Sequence, residues 1–354
     1  MDIAWYVYAG FIAFVVAMLL VDLKLFHTEE HTPTVKESAS WVGVWVGLAL
    51  AFGVGLYFWQ GREPTAEYFA GYLIEYSLSV DNMFVFVVIF RYFHIPRSHQ
   101  HQVLFYGILG AIVFRGIFIA LGVALIRNFE WVIYLFGAFL IYTAWRIARG
   151  SAEHVHPEHN PVLRFAKKRF PTTTKFDGQK LFTIENGKRV ATPLFIVLLF
   201  VETTDIFFAV DSIPAIFGIT REPFIVLTSN VFAILGLRAL YFLLAGGMDR
   251  LHLLKFGLAI ILGFVGVKMI GEAFSCTGHG MFCHEGSFHV PIWLSLTVII
   301  GVLAITAVLS FLVPPDRQAR IEEEIEEHLG QHEPATSEPN EDDLVTESET
   351  KERT

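Results

Sequence analysis

Apolar residues fill the chain in long blocks, broken by short polar joints. Nine blocks stand out, at about 4–25, 41–59, 66–90, 103–126, 131–148, 193–217, 223–245, 252–271 and 290–313. Runs of this length match the hydrocarbon thickness of a bilayer, so each predicts a membrane-crossing helix. Backbone polar groups need internal partners in lipid, which leaves helices as the structure for such runs. The fold class expected is therefore an all-α polytopic membrane protein of about nine transmembrane helices. The first block follows Met1-Asp2-Ile3 with no basic flank or small-residue cleavage site, so it reads as a spanning helix and not a signal peptide. Composition agrees: 54% of the 354 residues are hydrophobic and 17% are charged, too little polar surface for a soluble helical core of this size.

Basic residues between the blocks set an expected sidedness. With the amino terminus outside, the inner segments carry 19 Lys and Arg and the outer ones carry three, Arg62, Arg127 and Arg221. Ten of the 19 lie between Arg146 and Arg189, and the bias survives when the long loop at 149–192 is left out. The expected orientation is N-terminus outside and C-terminus cytoplasmic; the family resemblance given below implies a bacterial inner (cell) membrane. The two cysteines, Cys276 and Cys283, then fall in an outer loop where a disulfide is permitted. Metal ligation by Cys276, His279, Cys283 and His284 is the competing reading.

Within this frame the polar residues inside the blocks repeat. Asp81 opens DNMFVFVVIFR, which ends at Arg91, and Asp211 opens DSIPAIFGITR, which ends at Arg221. Without a gap, Glu75 meets Asp205, Asp81 meets Asp211 and Asn82 meets Ser212. The next blocks pair Arg115 with Arg238, and the third pair sets Arg146 beside Lys268. Three helices per unit make the second copy inverted, the architecture of alternating-access transporters with sites near mid-membrane. The expected division is two peripheral helices in 1–60, a first three-helix repeat at 66–148, a cytoplasmic loop at 149–192, a second repeat at 193–272, an outer loop at 273–289, a last helix at 290–313 and an acidic, disordered tail at 314–354.

Charge at membrane depth costs on the order of 3 kcal/mol per residue, which makes each such residue a functional candidate. The candidate metal ligands are Glu75, Asp81, Asn82, Glu202, Asp205 and Asp211, with Arg115, Arg238 and Lys268 as charge-compensating partners. Five acids against three bases leave two negative charges, the balance a divalent cation would fill. An all-oxygen set suits Mn²⁺, Mg²⁺ or Ca²⁺ better than Cu⁺ or Zn²⁺. Glu75 and Asp81 are six residues apart, about 120° off one helical face with roughly 9 Å of rise. Either a helix breaks near Ser79 to Asn82, or acids meet their repeat mates across an interface; Pro214 offers a cause for a break in the second copy. Structural ion pairing to the three bases is the alternative role for these acids.

Other features narrow the function. The tail holds 14 acids from Asp316 onward and few aromatics, which reads as solvated chain. HVHPEH, with His154, His156 and His159, is a surface histidine cluster that could gather metal. No P-loop, serine-nucleophile constellation or nucleic-acid module is present, so neither ATP coupling nor nucleic-acid binding is expected.

EYSLSVDNMFVF and FVETTDIFFAVDSIPAIFGIT together resemble the TerC family of integral membrane proteins, over roughly residues 66–272. The resemblance implies a relation to the lysine-exporter superfamily, with its inverted three-helix units, and a link to metal-ion homeostasis, manganese export above all. Some relatives were named for tellurite resistance, and plant relatives act in thylakoid membrane biogenesis. Nine spans and an acidic tail resemble the manganese-exporting bacterial branch. The expected activity is that of a secondary transporter, not an enzyme. Mn²⁺ would be its transported substrate, with no permanently bound cofactor and with protons as a candidate coupling ion. The expected partners are the lipid bilayer and divalent cations; a homo-oligomer is left open. Two other classes stay open: a membrane interaction, assembly or envelope-stress protein, and an exporter of a small organic solute. Asp81→Asn keeps shape and removes charge, and the expected outcome is loss of Mn²⁺ export in vesicles; unchanged export removes Asp81 from the site.

Overall fold

The computed structural model describes residues 3–26, 34–149, 171–173, 175–178, 180–185, 187–245, 253–276 and 290–312. Ten helices and one hairpin follow in chain order. They are α1 (Trp5–Phe26), α2 (Val35–Gln60), α3 (Arg62–Tyr92), α4 (Arg97–Asn128), α5 (Val132–Ala148), β1 (Phe182–Glu185), β2 (Lys188–Ala191), α6 (Pro193–Phe217), α7 (Pro223–Leu235), α8 (Leu237–Leu244), α9 (Leu254–Cys276) and α10 (Ile292–Leu312). Each expected apolar block is helical over most of its described residues. Six helices (α2, α3, α4, α6, α9 and α10) are long and apolar enough to cross a membrane. The α7–α8 pair adds a seventh span if its 41° bend is one broken crossing, while α1 and α5 hold shorter apolar stretches. The expected cysteine pairing, the HVHPEH cluster and the acidic tail lie outside the described residues.

Local chemistry explains the boundaries. Thr34 and Glu37 form a capping box at the start of α2, with the Thr34 N–H donating to Glu37 Oε2 at 2.7 Å. Gly61 separates α2 from α3 at φ +89°, a left-handed conformation that favours glycine. Pro193 and Pro223 open α6 and α7, where a missing N–H costs no helical bond. Helix α3 runs unbroken through Ser79 to Asn82, and α6 runs unbroken past Pro214. Pro214 lies in the last turn of α6, so little helix remains beyond it to be deflected. The break falls instead at Gly236, one residue before α8 and two before Arg238.

Burial runs opposite to a water-soluble helix. On α10 the buried positions include Ser295, Thr306 and Ser310, while Trp293, Ile300, Ile305, Val308, Phe311 and Leu312 face outward. Small and polar residues meet neighbouring helices and large apolar ones meet lipid, the usual division in a bilayer. Helices α6 and α7 are sheathed on most sides. Helix α3 packs along α7, α4 along α6, and α5 along α9. An aromatic cluster of Phe11, Phe52, Tyr68, Phe224 and Phe232 ties α1 and α2 to α3 and α7.

The β1–β2 hairpin pairs Glu185 with Lys188, and Gly187 takes φ +73°. Thr183 and Lys180 both donate to Asp177 Oδ2, at 2.7 and 3.1 Å, and hold the exposed Asp177 carboxyl below its usual range. His99 Nε2 lies 3.0 Å from the Gly178 carbonyl oxygen, which joins this segment to the start of α4.

The α5–α9 contact depends on two glycines. A Cβ on Gly266 would sit 2.8 Å from the Gly137 carbonyl oxygen and 3.1 Å from Leu140 Cβ. Backbone cannot move aside as a side-chain tip can. Gly263, one turn away, has room: its Cβ would meet Ala144 Cβ at 3.6 Å, an ordinary contact. Gly266→Ala should therefore cost about 1–3 kcal/mol through overpacking, while Gly263→Ala is tolerated. Thermal unfolding in detergent checks both.

Candidate functional site

The centre of the bundle holds a buried charge cluster. Glu75 sits at mid-length on α3, Arg115 on the second half of α4, and Asp205 and Ser212 on α6. All four are buried, Glu75 completely and Arg115 to 1% exposure. Arg115 Nη1 donates to Glu75 Oε2 in a direct ion pair and reaches Ser212 Oγ at 3.3 Å. Its Nη2 stands 3.8 Å from Asp205 Oδ1, an ion pair longer than a hydrogen bond. One guanidinium thus serves two carboxylates from two helices. The planar, permanently charged fork of arginine suits that task where a lysine would not.

The cluster is not saturated. Among the described residues no hydrogen-bond partner reaches Glu75 Oε1, Asp205 Oδ2, Arg115 Nε or Ser79 Oγ. Asn230 on α7 lies beside the Glu75 carboxylate, yet neither its amide nitrogen nor its amide oxygen makes a hydrogen bond of good geometry. Buried polar groups in a settled core are nearly always paired, so so many open valences in one place single it out. Glu202, one turn before Asp205, lays its carboxylate on Gly110 of α4, where any Cβ would collide with it, and its Oε2 is buried without a hydrogen bond.

The sequence-selected residues divide. Glu75, Arg115 and Asp205 come together, with Glu202 beside Asp205 on the same helix. Asp211 instead takes a 3.4 Å hydrogen bond from Thr143 Oγ1 on α5. Asp81 is half-buried and Asn82 buried, one to two turns beyond Glu75. Arg238 is buried on α8 just past the bend. Lys268 serves none of the central acids; its Nζ lies 3.9 Å from Glu272 Oε1. Among the described residues no three His, Cys, Asp or Glu side chains are placed to hold a metal ion. Ser212 stood only as the counterpart of Asn82, and Asn230 was missed; the polar triplet Thr228-Ser229-Asn230 inside an apolar helix was its signal.

This charge cluster lies within a stretch that matches known proteins. Residues 60–318 match the family described as "Integral membrane protein TerC family". The chain belongs to the TerC family. It is 48% identical over 305 residues to "Uncharacterized membrane protein STKORF319" of Myxococcus xanthus, covering 86% of this chain and 92% of that one. It is 44% identical over 312 residues to "Putative membrane-bound redox modulator Alx" of Escherichia coli K12, covering 86% and 93%. Over 252 residues it is 47% identical to "Thylakoid membrane protein TERC, chloroplastic" of Arabidopsis thaliana, covering 71% and 65%. No solved structure matches the chain. As a TerC protein it is a multi-pass integral membrane protein, and all the residues of the charge cluster fall inside the family match.

Removing one partner from a buried ion pair leaves the other uncompensated, at about 3–5 kcal/mol. Arg115→Met should therefore lower the unfolding temperature sharply, and Arg115→Lys less. Adding Glu75→Gln and Asp205→Asn to Arg115→Met should restore part of the loss. Thermal unfolding of the purified series reads this directly; no rescue by the neutral acids would mean that Arg115 acts through packing and not through charge.

Proposed function

We propose that this TerC protein is a secondary transporter exporting a divalent metal cation, Mn²⁺ in the first place, across a bacterial cell membrane, with protons as the coupling ion. One observation carries the reading: Arg115 is buried between Glu75 and Asp205, on two different helices, with carboxylate oxygens left open on both. A purely structural ion pair would be more stable with those valences filled. The guanidinium acts as an internal countercharge that keeps two acids ionised while no cargo is bound.

Exchange of countercharges gives the cycle. A divalent cation neutralises Glu75 and Asp205 together and so replaces Arg115, which withdraws along α4. Ser212, Asn230 and Ser79 offer neutral oxygens close by, and a hard cation prefers such a set. The acids are not gathered around one point in this structure, so cation binding accompanies a shift of α3 against α6. Protons arriving from the far side neutralise the same carboxylates, release the cation and let the helices return. Water-exposed charge never has to cross the apolar core unpaired.

The packing supports the inverted-repeat reading. Exchanging α3 with α6 and α4 with the α7–α8 pair turns the α3–α7 contact into the α6–α4 contact, and both are extensive. Exchanging α5 with α9 maps their shared seam onto itself. Glu75 and Asp205, counterparts in the ungapped alignment, are the two acids that share Arg115. Two equivalent halves that trade conformations give access first from one side and then from the other.

The test is radiolabelled Mn²⁺ movement into inside-out proteoliposomes of the full chain, with and without an imposed pH gradient. Wild type is expected to accumulate Mn²⁺ and to accelerate when the vesicle lumen is acid. Glu75→Gln/Asp205→Asn/Arg115→Met, which leaves no buried charge uncompensated, should fold and lose flux. Absence of flux in well-folded wild type would falsify the proposal.

A further inference from the structure

The two faces of the β1–β2 hairpin differ. Residues directly opposite in an antiparallel pair share a face, and faces alternate along each strand. Thr183 and Val190 fall on one face with Glu185 and Lys188. That face is covered: Val190 is buried, and Thr183 donates to Asp177 in the segment before β1. The other face holds Phe182 opposite Ala191 and Ile184 opposite Arg189. Phe182 packs on Phe195 of α6 with ring centroids 4.6 Å apart, and the Arg189 guanidinium lies over the Phe182 ring at 4.8 Å. Beyond that contact the face is bare: Ile184 is 77% exposed, and Arg189 beside it is exposed too.

The start of α6 sets the depth of this bare face. Helix α6 begins at Pro193, two residues after β2 ends. Its 25 residues rise about 37 Å, against a hydrocarbon thickness of roughly 30 Å. The ends of α6 therefore reach the headgroup layers, and Phe195 in its first turn holds the hairpin there. An apolar side chain standing bare at that depth next to an arginine is an interfacial pattern, the alkyl group directed to the acyl chains and the guanidinium to the phosphates.

Charge selects the headgroup. Lys175, Lys180, Lys188 and Arg189 are exposed against two acids, Asp177 and Glu185, so four cations less two anions leave two positive charges. Lys180 is paired with Asp177 at 3.1 Å, and Lys188 stands opposite Glu185. Lys175 and Arg189 form no ion pair among the described residues. Lys175 is two residues, at most about 7 Å of chain, from Thr173, whose N–H donates to the Ala191 carbonyl at 3.0 Å. The two uncommitted cations thus act on one patch.

We propose that the bare face of the hairpin is a docking surface for anionic phospholipid headgroups, with Ile184 as its apolar anchor and Arg189 and Lys175 as its charges. The inference is independent of the transport reading. A grip on lipid here is passed to two helices of the polar centre. Phe182 ties the hairpin to the first turn of α6, which carries Asp205, and the His99–Gly178 contact ties the same segment to the start of α4, which carries Arg115.

A reporter at position 184 tests it. Ile184→Cys, in the full chain with Cys276→Ser and Cys283→Ser, is labelled with an environment-sensitive nitrobenzoxadiazole dye and placed in nanodiscs of phosphatidylcholine, with or without phosphatidylglycerol. Each cation near an anionic surface contributes about fivefold, so Lys175 and Arg189 together should raise the ratio of lipid-docked to water-exposed dye about 25-fold when phosphatidylglycerol is present. Blue-shifted emission and quenching by a shallow spin-labelled lipid read that ratio. At about 1 M salt, where the Debye length is about 3 Å, the difference should collapse. Lys175→Gln/Arg189→Gln should abolish it at low salt. A dye that stays in water in both lipids, or docks equally in both, overturns the proposal. A phosphatidylglycerol dependence that survives the double substitution does so as well.

Discussion

A charge inside a bilayer must carry its counterion with it. The pairing of Arg115 with Glu75 and Asp205 meets that constraint, and much of the architecture follows from it. Two acids on α3 and α6 share one base on α4, which forces three helices to meet at one depth. Ser212 from α6 and Asn230 from α7 then fill the remaining polar space. Because these side chains come from four helices, the polar centre also fixes helix register and rotation. Apolar packing alone would do this weakly where the surrounding lipid is as apolar as the core.

Around that centre, burial is graded by element. Helices α6 and α7 hold mostly buried residues, while α10 turns its large apolar side chains outward and keeps serine and threonine inside. The same apolar composition therefore means two different things, core in one helix and lipid contact in another. Hydropathy along the chain cannot tell them apart, since both read as continuous apolar runs. The periodicity of small and hydroxyl residues separates them, as Ser295, Thr306 and Ser310 do on α10.

How much of this was legible in the sequence depends on the kind of signal. Apolar blocks located the helices closely: the block at 193–217 coincides with α6, and that at 131–148 differs from α5 by one residue. Helices α3 and α4 run past the apolar edges at 66–90 and 103–126, because helical hydrogen bonding continues into polar residues that hydropathy ignores. The β1–β2 hairpin was passed over inside a hydrophilic segment, although Asn186-Gly187 is a strong turn signal. Glu75, Asp205 and Arg115 stood out because charge in an apolar run is costly; Asn230 is neutral and did not. Glu67 and Glu272 lie near helix ends, where acids are common, so only the fold brings them to one cavity. A proline drew attention to the wrong place for a break, since its effect depends on how much helix follows it. Gly236, inconspicuous among 28 glycines, is where the bend occurs.

The seam between α5 and α9 has a mechanical consequence. At Gly137 and Gly266 the two backbones approach closely, with Ile270 seated over Gly137 and Ile141 over Gly266. Such a contact cannot be compressed and is costly to pull apart, and the isoleucines seated over the glycines hold it against sliding. It is a clamp that makes α5 and α9 one body. Motion that opens the polar centre to one face of the membrane and then to the other can turn about this pair while the separation of its two helices stays constant. A rigid seam is therefore compatible with a large rearrangement, provided that the other helices turn about it.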